Sequence, residues 1–379
     1  MRNLVFSALI AVTAMTGATA SAALAQTTPA DEASRIVETM MREAPIPAVS
    51  VAVYQDDGLV WSQAFGDAHV ELGVPVQTDH RFRLGSVSKI ITASLAARLV
   101  DRGIIDLDLP ISSYRDDLPE AHRATTLRQL LGHQGGVRHY NGADFNPAAP
   151  GSVIDLRVYP DSQTALNLFI NDPLAAEPGS TYSYSTFGYT LIAAVLESAT
   201  GESFRDLVRG EIADTLDLPG LGADTMFDLQ SNRVGYYDYA AFYQQNFDSS
   251  IRGEIINALR NNPGYKLAGG GYIATAQELA RFGAAHFEAG FLSGSSFADV
   301  FTLQSTATGE ATPVGLGWRI DHDAAGRLRY HHAGSQQGAR AILIVYPEQR
   351  LSVVVMSNLG STPQDIMTPA AAIAEAFFD

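Results

Sequence analysis

The run Ala48-Val49-Ser50-Val51-Ala52-Val53-Tyr54, the turn Gln55-Asp56-Asp57-Gly58 and the run Leu59-Val60-Trp61-Ser62-Gln63-Ala64-Phe65 decide the fold. A β-branched run, an Asp-Gly turn and a second apolar run predict a β-hairpin. The same grammar returns near the C-terminus, where 341–346 and 351–356 flank Pro347-Glu348-Gln349-Arg350. An amphipathic helix over 31–43, with Ile36, Val37, Met40 and Met41 on one face, precedes the first hairpin, and a helix over about 363–378 follows the second. Between the hairpins, helical periods run over 88–102, 127–131, 163–170, 187–199 and 276–288, joined by loops rich in Gly and Pro. Strands at both ends with helices between them predict an α+β protein: one antiparallel sheet assembled from the two chain ends, flanked by helices and carrying a mainly helical insert. Because that sheet needs both ends, 26–379 is expected to form a single domain, with a sheet lobe from about 30–85 and 315–379 and a helical lobe over about 86–314. A site is expected in the cleft between the lobes.

Composition narrows the chemistry. The 379 residues carry 25 basic and 41 acidic side chains, a net charge of −16, with no run of Lys and Arg, so nucleic acid and anionic membrane surfaces are unsuitable partners. The absence of cysteine removes disulfides, thiolate zinc sites and cysteine nucleophiles. Only two of the basic residues are lysines, Lys89 and Lys266. A genome that prefers arginine codons accounts for that bias, but lysine can lose its proton on burial and arginine cannot, so both positions matter. Lys266 has no role assignable from its neighbours and is expected at the surface.

The first 25 residues read as a secretory signal peptide: Arg2, an apolar run from Leu4 to Val12, then Ala20-Ser21-Ala22 and Ala23-Leu24-Ala25. Cleavage is expected after Ala25, because the apolar run falls short of the ~20 residues that span a bilayer. The product is expected to be exported, periplasmic or extracellular, with no stable membrane anchor.

Ser86 and Lys89 stand three residues apart where a loop gives way to the helix of Ile90, Ile91, Leu95 and Leu99. That spacing stacks them on one helix face, and a lysine held neutral by burial could take the serine's proton. Alone, this pair is a weak signal. Two further elements follow in order: Tyr182-Ser183-Tyr184-Ser185-Thr186-Phe187-Gly188-Tyr189 before a helix, and His331-His332-Ala333-Gly334-Ser335 entering a strand. A phenol can shuttle a proton when a neighbouring ammonium lowers its pKa, and glycine at a strand edge lets a carbonyl approach the backbone. Taken singly, the first segment reads as a packed aromatic turn and the second as a solvated strand edge. The sequence contains neither a G-x-S-x-G elbow nor an H-E-x-x-H zinc motif.

Together, Ser86-Val87-Ser88-Lys89, Tyr184-Ser185-Thr186 and His332-Ala333-Gly334 resemble the S-x-x-K, Y-x-N and [KH]-x-G elements of the serine β-lactamase and penicillin-binding protein superfamily. Order and spacing are similar to its branch of class C β-lactamases, D-Ala-D-Ala carboxypeptidases and family VIII esterases, the peptidase S12 type. Segments 128–133, 137–140, 171–174, 184–190 and 266–271 resemble, more nearly still, the serine β-lactamase-like proteins of animal mitochondria. The resemblance implies the transpeptidase-like fold, no cofactor or metal, and an acyl-enzyme mechanism. It makes Ser86 the nucleophile, Lys89 its proton acceptor and Tyr184 the proton shuttle to the leaving group. His332 and Gly334 would line the substrate strand, and the backbone N–H groups of Ser86 and Ser335 would form the oxyanion hole.

Two departures shape the expected substrate. Thr186 stands where the motif has Asn, removing an amide that would bind a substrate amide. His332 stands where β-lactamases usually have Lys, replacing a fixed charge with a group that ordinarily titrates near 6.5. The expectation is therefore a secreted serine hydrolase acting on a small-molecule or peptide substrate (an ester, a D-amino-acid peptide or a β-lactam-like compound), with peptidase or esterase activity above β-lactamase activity. The alternative is a catalytically impaired envelope protein that uses the same fold for binding or self-association.

Overall fold

The computed structural model describes residues 28–145, 156–246, 248–361 and 365–378; the expected signal peptide and its cleavage site lie outside them. Seven strands form the main sheet: β1 (Ala48–Gln55), β2 (Gly58–His69), β3 (Val74–Pro75), β4 (Arg319–His322), β5 (Leu328–Gln336), β6 (Ala339–Tyr346) and β7 (Leu351–Ser357). Their order is β3-β2-β1-β7-β6-β5-β4, and every pairing is antiparallel. Both predicted hairpins form, and β1 pairs with β7 in the register Val49 to Ser357 and Val53 to Val353. The N-terminal and C-terminal hairpins thus share the centre of one sheet.

Helices cover both faces of that sheet, which is why its central strands are apolar at nearly every position. On one face, Val49, Val51, Val53, Ile342, Ile344, Val353 and Val355 bury against Ala33 and Val37 of α1 (Pro29–Glu43) and Ala370 and Ile373 of α5 (Met367–Ala376). On the other, Ala52, Leu343, Val345 and Val354 join the larger core of the helical insert. There α4 (Ala276–Ala285) lies directly on the sheet, because Gly283 has no side chain to strike the Ser352 hydroxyl. Two insert helices carry the motif segments, α2 (Ser88–Asp101) and α3 (Thr186–Thr200). α2 is buried at every position from Ser88 to Ala97, and α3 from Thr186 to Leu196. Helices apolar all round belong in an interior, so the groups at their N-termini are held in a rigid frame. Truncating one large side chain here, such as Ile90 (0% exposed), would cost on the order of 2–5 kcal/mol.

Short strands that the sequence reading did not resolve hold the start of α2. Phe82–Arg83 pairs with Tyr272–Ala274, and Leu84 N–H donates to the Tyr272 carbonyl at 2.9 Å. Arg83, 5% exposed, donates from Nε to Asp224 at 2.6 Å and from Nη1 to the Gln337 carbonyl at 2.9 Å. Its guanidinium also lies 3.8 Å from the centroid of the Tyr236 ring. One buried arginine therefore ties the segment before Ser86 to the β5–β6 turn. Asp224→Asn leaves that guanidinium buried without its counter-charge, and removing one partner of a buried pair costs about 3 kcal/mol or more. The urea midpoint should fall accordingly; a loss below about 1 kcal/mol would show that Arg83 finds another partner.

Candidate active site

The turn Leu84-Gly85-Ser86 and strand β5 touch backbone to backbone. Gly85 has φ +52°, a conformation that glycine adopts without strain. A Cβ on Gly85 would stand 2.9 Å from Ser335 N. A Cβ on Gly334 would strike the Leu84 carbonyl oxygen and lie 2.9 Å from Ser86 N. Glycine on both sides is what allows the amides of Ser86 and Ser335 to become neighbours. Ser86 itself is partly accessible, at the lip of a cavity of about 220 Å³ lined by Tyr184, Thr186, Lys266, Gly269 and Ser335 among others. A larger cavity, about 1100 Å³, lies between 226–236 and 257–261 and contains none of these groups. Chemistry, not size, marks the smaller one.

Lys89 is fully buried, and burial pushes its pKa well below the usual lysine range. No carboxylate pairs with it among the described residues. A neutral amine offers two N–H groups and one lone pair. Lys89 Nζ lies 2.6 Å from the Gly269 carbonyl and 3.1 Å from Thr186 Oγ1, which can take the two N–H groups, and 3.3 Å from Ser86 Oγ. The lone pair is thereby left facing the serine hydroxyl. Thr186, in place of the motif's Asn, keeps the contact to the lysine while presenting no amide. Gly269 must be glycine here, since a Cβ would come within 2.7 Å of Thr186 Cγ2.

Tyr184 completes the cluster, its ring centroid 4.8 Å from Lys89 Nζ. Burial pushes its phenol up to about 12, opposed by the Ser86 hydroxyl and by Arg319. Lys89 is not among the groups that lower it, so near neutrality the phenol keeps its proton.

Two histidines for which the sequence reading assigned no role hold this tyrosine loop. His133 Nδ1 accepts from Ser185 N–H at 3.1 Å, and its ring lies 4.3 Å from that of Tyr184. His139 Nδ1 accepts from Thr186 N–H at 3.2 Å. Burial keeps both neutral, His139 at about 4. Ser185 finishes the loop as the N-cap of α3, accepting from Gly188 N–H at 2.9 Å and donating to the Arg138 carbonyl.

Three expectations need correction. His331 and His332 are not a solvated edge but 5% and 3% exposed. His332 does not titrate near 6.5: burial, with the charge sites of Lys89 and Arg319 nearby, pushes it to about 3. It is neutral across the physiological range, with Nδ1 2.7 Å from the Ala333 carbonyl, to which it donates. Lys266 is not a surface residue; it is 8% exposed and lines the same cavity as Ser86. Arg319, whose charge acts on Tyr182, Tyr184 and His332, was not singled out in the sequence. Among the described residues no group of three His, Asp and Glu side chains converges to hold a metal ion, and no helix is long and apolar enough to cross a membrane.

A model of the β-lactamase family matches residues 33–377. The chain belongs to the β-lactamase family. It shares the family's fold, a large antiparallel sheet flanked by helices, and the family is one of serine hydrolases. The chain is 26% identical to the mitochondrial serine β-lactamase-like protein LACTB of Homo sapiens, with 84% of this chain and 72% of that protein covered. Esterase EstB of Burkholderia gladioli is 29% identical over 49% of this chain and 50% of its own length. The structure of the D-amino acid amidase of Ochrobactrum anthropi SV3 with D-phenylalanine superposes with a TM-score of 0.78 at 20% identity, covering 92% of this chain and 98% of that one. That likeness establishes the shared fold.

Proposed function

We propose that this protein is an exported hydrolase, one catalytic domain over 26–379 following a leader at 1–25, which works through an acyl-enzyme on Ser86. Ser86 Oγ attacks the substrate carbonyl carbon as its proton passes to Lys89 Nζ. The carbonyl electron pair moves onto oxygen, facing the amides of Ser86 and Ser335. Collapse of the tetrahedral adduct breaks the bond to the leaving group, which takes a proton through Tyr184, and water then releases the acyl group by the reverse sequence. His332 and Gly334 line the strand along which the substrate lies. The observation that carries this reading is a fully buried lysine without an acid partner, one helical turn from a partly accessible serine. The non-catalytic alternative draws little support from Thr186, because that side chain keeps its contact with Lys89.

Within the hydrolases, esters or peptides suit the site better than β-lactams. A cephalosporin carries a carboxylate beside its scissile amide, and His332 offers it no charge, while Thr186 offers its side-chain amide no partner. A short neutral ester needs neither contact. p-Nitrophenyl butyrate is expected to exceed nitrocefin in kcat/KM by at least about tenfold, ~1.4 kcal/mol in transition-state binding. His332 gains no proton between pH 6 and pH 8, so that residue adds no pH dependence to the preference. Equal rates on the two substrates at either pH would sink the ester-leaning assignment.

A further inference from the structure

The second lysine of the chain lines the same cavity as Ser86, and among the described residues it has no hydrogen-bonded or ionic partner. Lys266 is 8% exposed, lines the cavity beside His139, Tyr140, Tyr265 and Gly270, and among the described residues its Nζ makes no hydrogen bond or ion pair. Its stem packs on Gly270, where a Cβ would stand 3.6 Å from Lys266 Cδ, and its Nζ lies 5.8 Å from the Tyr265 ring centroid. The charged or titratable groups that face it are Arg83, Lys89, Asp224 and His139. Asp224 is engaged by Arg83 at 2.6 Å and by Arg233 at 3.4 Å, Lys89 is a neutral amine, and His139 is neutral. An ammonium so placed lacks a counter-ion, and buried charges are ordinarily paired.

Its position within the cavity identifies the end of the substrate that would supply one. The Lys266 stem lies beside the turn that carries Ser86, since a Cβ on Gly270 would stand 3.6 Å from both Gly85 C and Lys266 Cδ. In the proposed mechanism the acyl group stays bonded to Ser86 while the leaving group departs past Tyr184, so a side chain beside the Ser86 turn faces the acyl chain. We propose that Lys266 docks an anionic group on the acyl portion of the substrate, making short dicarboxylic half-acids, such as succinyl or glutaryl groups, the preferred acyl donors. A cavity of about 220 Å³ has room for such a chain. This inference rests on the acyl-enzyme reading above.

The test compares p-nitrophenyl hydrogen glutarate with p-nitrophenyl valerate, matched in chain length, on wild type, Lys266→Met and Lys266→Arg at pH 6 and pH 8.5. Burial and the Arg83 charge bring Lys266 to about 7, so it is charged below that pH and loses its charge above it. The wild-type glutarate-to-valerate ratio of kcat/KM is expected to be at least ten at pH 6 and to fall several-fold by pH 8.5, chiefly through KM. Lys266→Met should bring the ratio below one at both pH values, and Lys266→Arg should hold it high at pH 8.5. A wild-type ratio below one at pH 6, or an unchanged ratio in Lys266→Met, overturns the proposal. If Lys266→Met does not fold, the wild-type ratio and its pH dependence decide alone. Intact-mass measurement separates the two readings: absence of acylation at Ser86 by either ester removes the hydrolase mechanism, whereas Ser86 acylation without anion preference removes only the role of Lys266.

Discussion

Ser86→Ala is expected to abolish labelling by a fluorophosphonate and to lower ester turnover by at least about 10⁴-fold, ~5.5 kcal/mol in barrier. The expectation follows from access as much as from chemistry. Ser88, two residues on, is fully buried, and its Oγ accepts from Tyr272 N–H at 3.2 Å. Ser185 is 4% exposed and spends its hydroxyl capping α3. Ser86 alone of the three is partly accessible, faces Lys89 and lies beside the amide of Ser335. Peptide mapping after labelling is the check. A label that survives Ser86→Ala, or that maps to Ser88 or Ser185, would falsify the assignment of the nucleophile.

Lys89→Arg should lower kcat by about 10³-fold or more, ~4 kcal/mol, because a guanidinium keeps its proton at any working pH and cannot accept one from serine. Arginine also overfills a fully buried site, so a loss of activity alone would be ambiguous. Lys89→Met supplies the control, with similar volume, no proton to exchange and no buried charge. Both variants should be inactive, while Lys89→Met should keep a wild-type-like melting profile. Retention by Lys89→Met of more than about a hundredth of wild-type kcat would show that the base lies elsewhere. The wild type should lose activity on acidification as Lys89 takes up a proton, since burial places its pKa far below the ordinary lysine value.

Local pattern made the sheet readable. β-Branched runs around an Asp-Gly turn report their own pairing, and both hairpins form as read. Boundaries set by tertiary context were less legible: the segment read as helical over 163–170 is helical only over Ser162–Leu166, and the C-terminal helix runs over Met367–Ala376. At the site, the residue types and spacing disclosed Ser86, Lys89 and Tyr184, which the fold brings together. Protonation was not legible, because it depends on what lies across the cavity. His332 and Lys266 read as a titrating strand residue and a surface cation until packing buried them. His133 and His139 lie about fifty residues from the loop they hold, and no local period reports such a contact.

The pairing of β1 with β7 has a consequence for synthesis. The register that joins Val49 to Ser357 closes a loop on the order of 300 residues, and such a closure can be made only once both partners exist. A ribosome that has released the first hairpin has produced a strand whose inner edge has no neighbour, and it stays bare until the last hairpin emerges. Completion of the main sheet therefore waits for β7, and a chain stopped before β7 lacks the strand that joins its two halves.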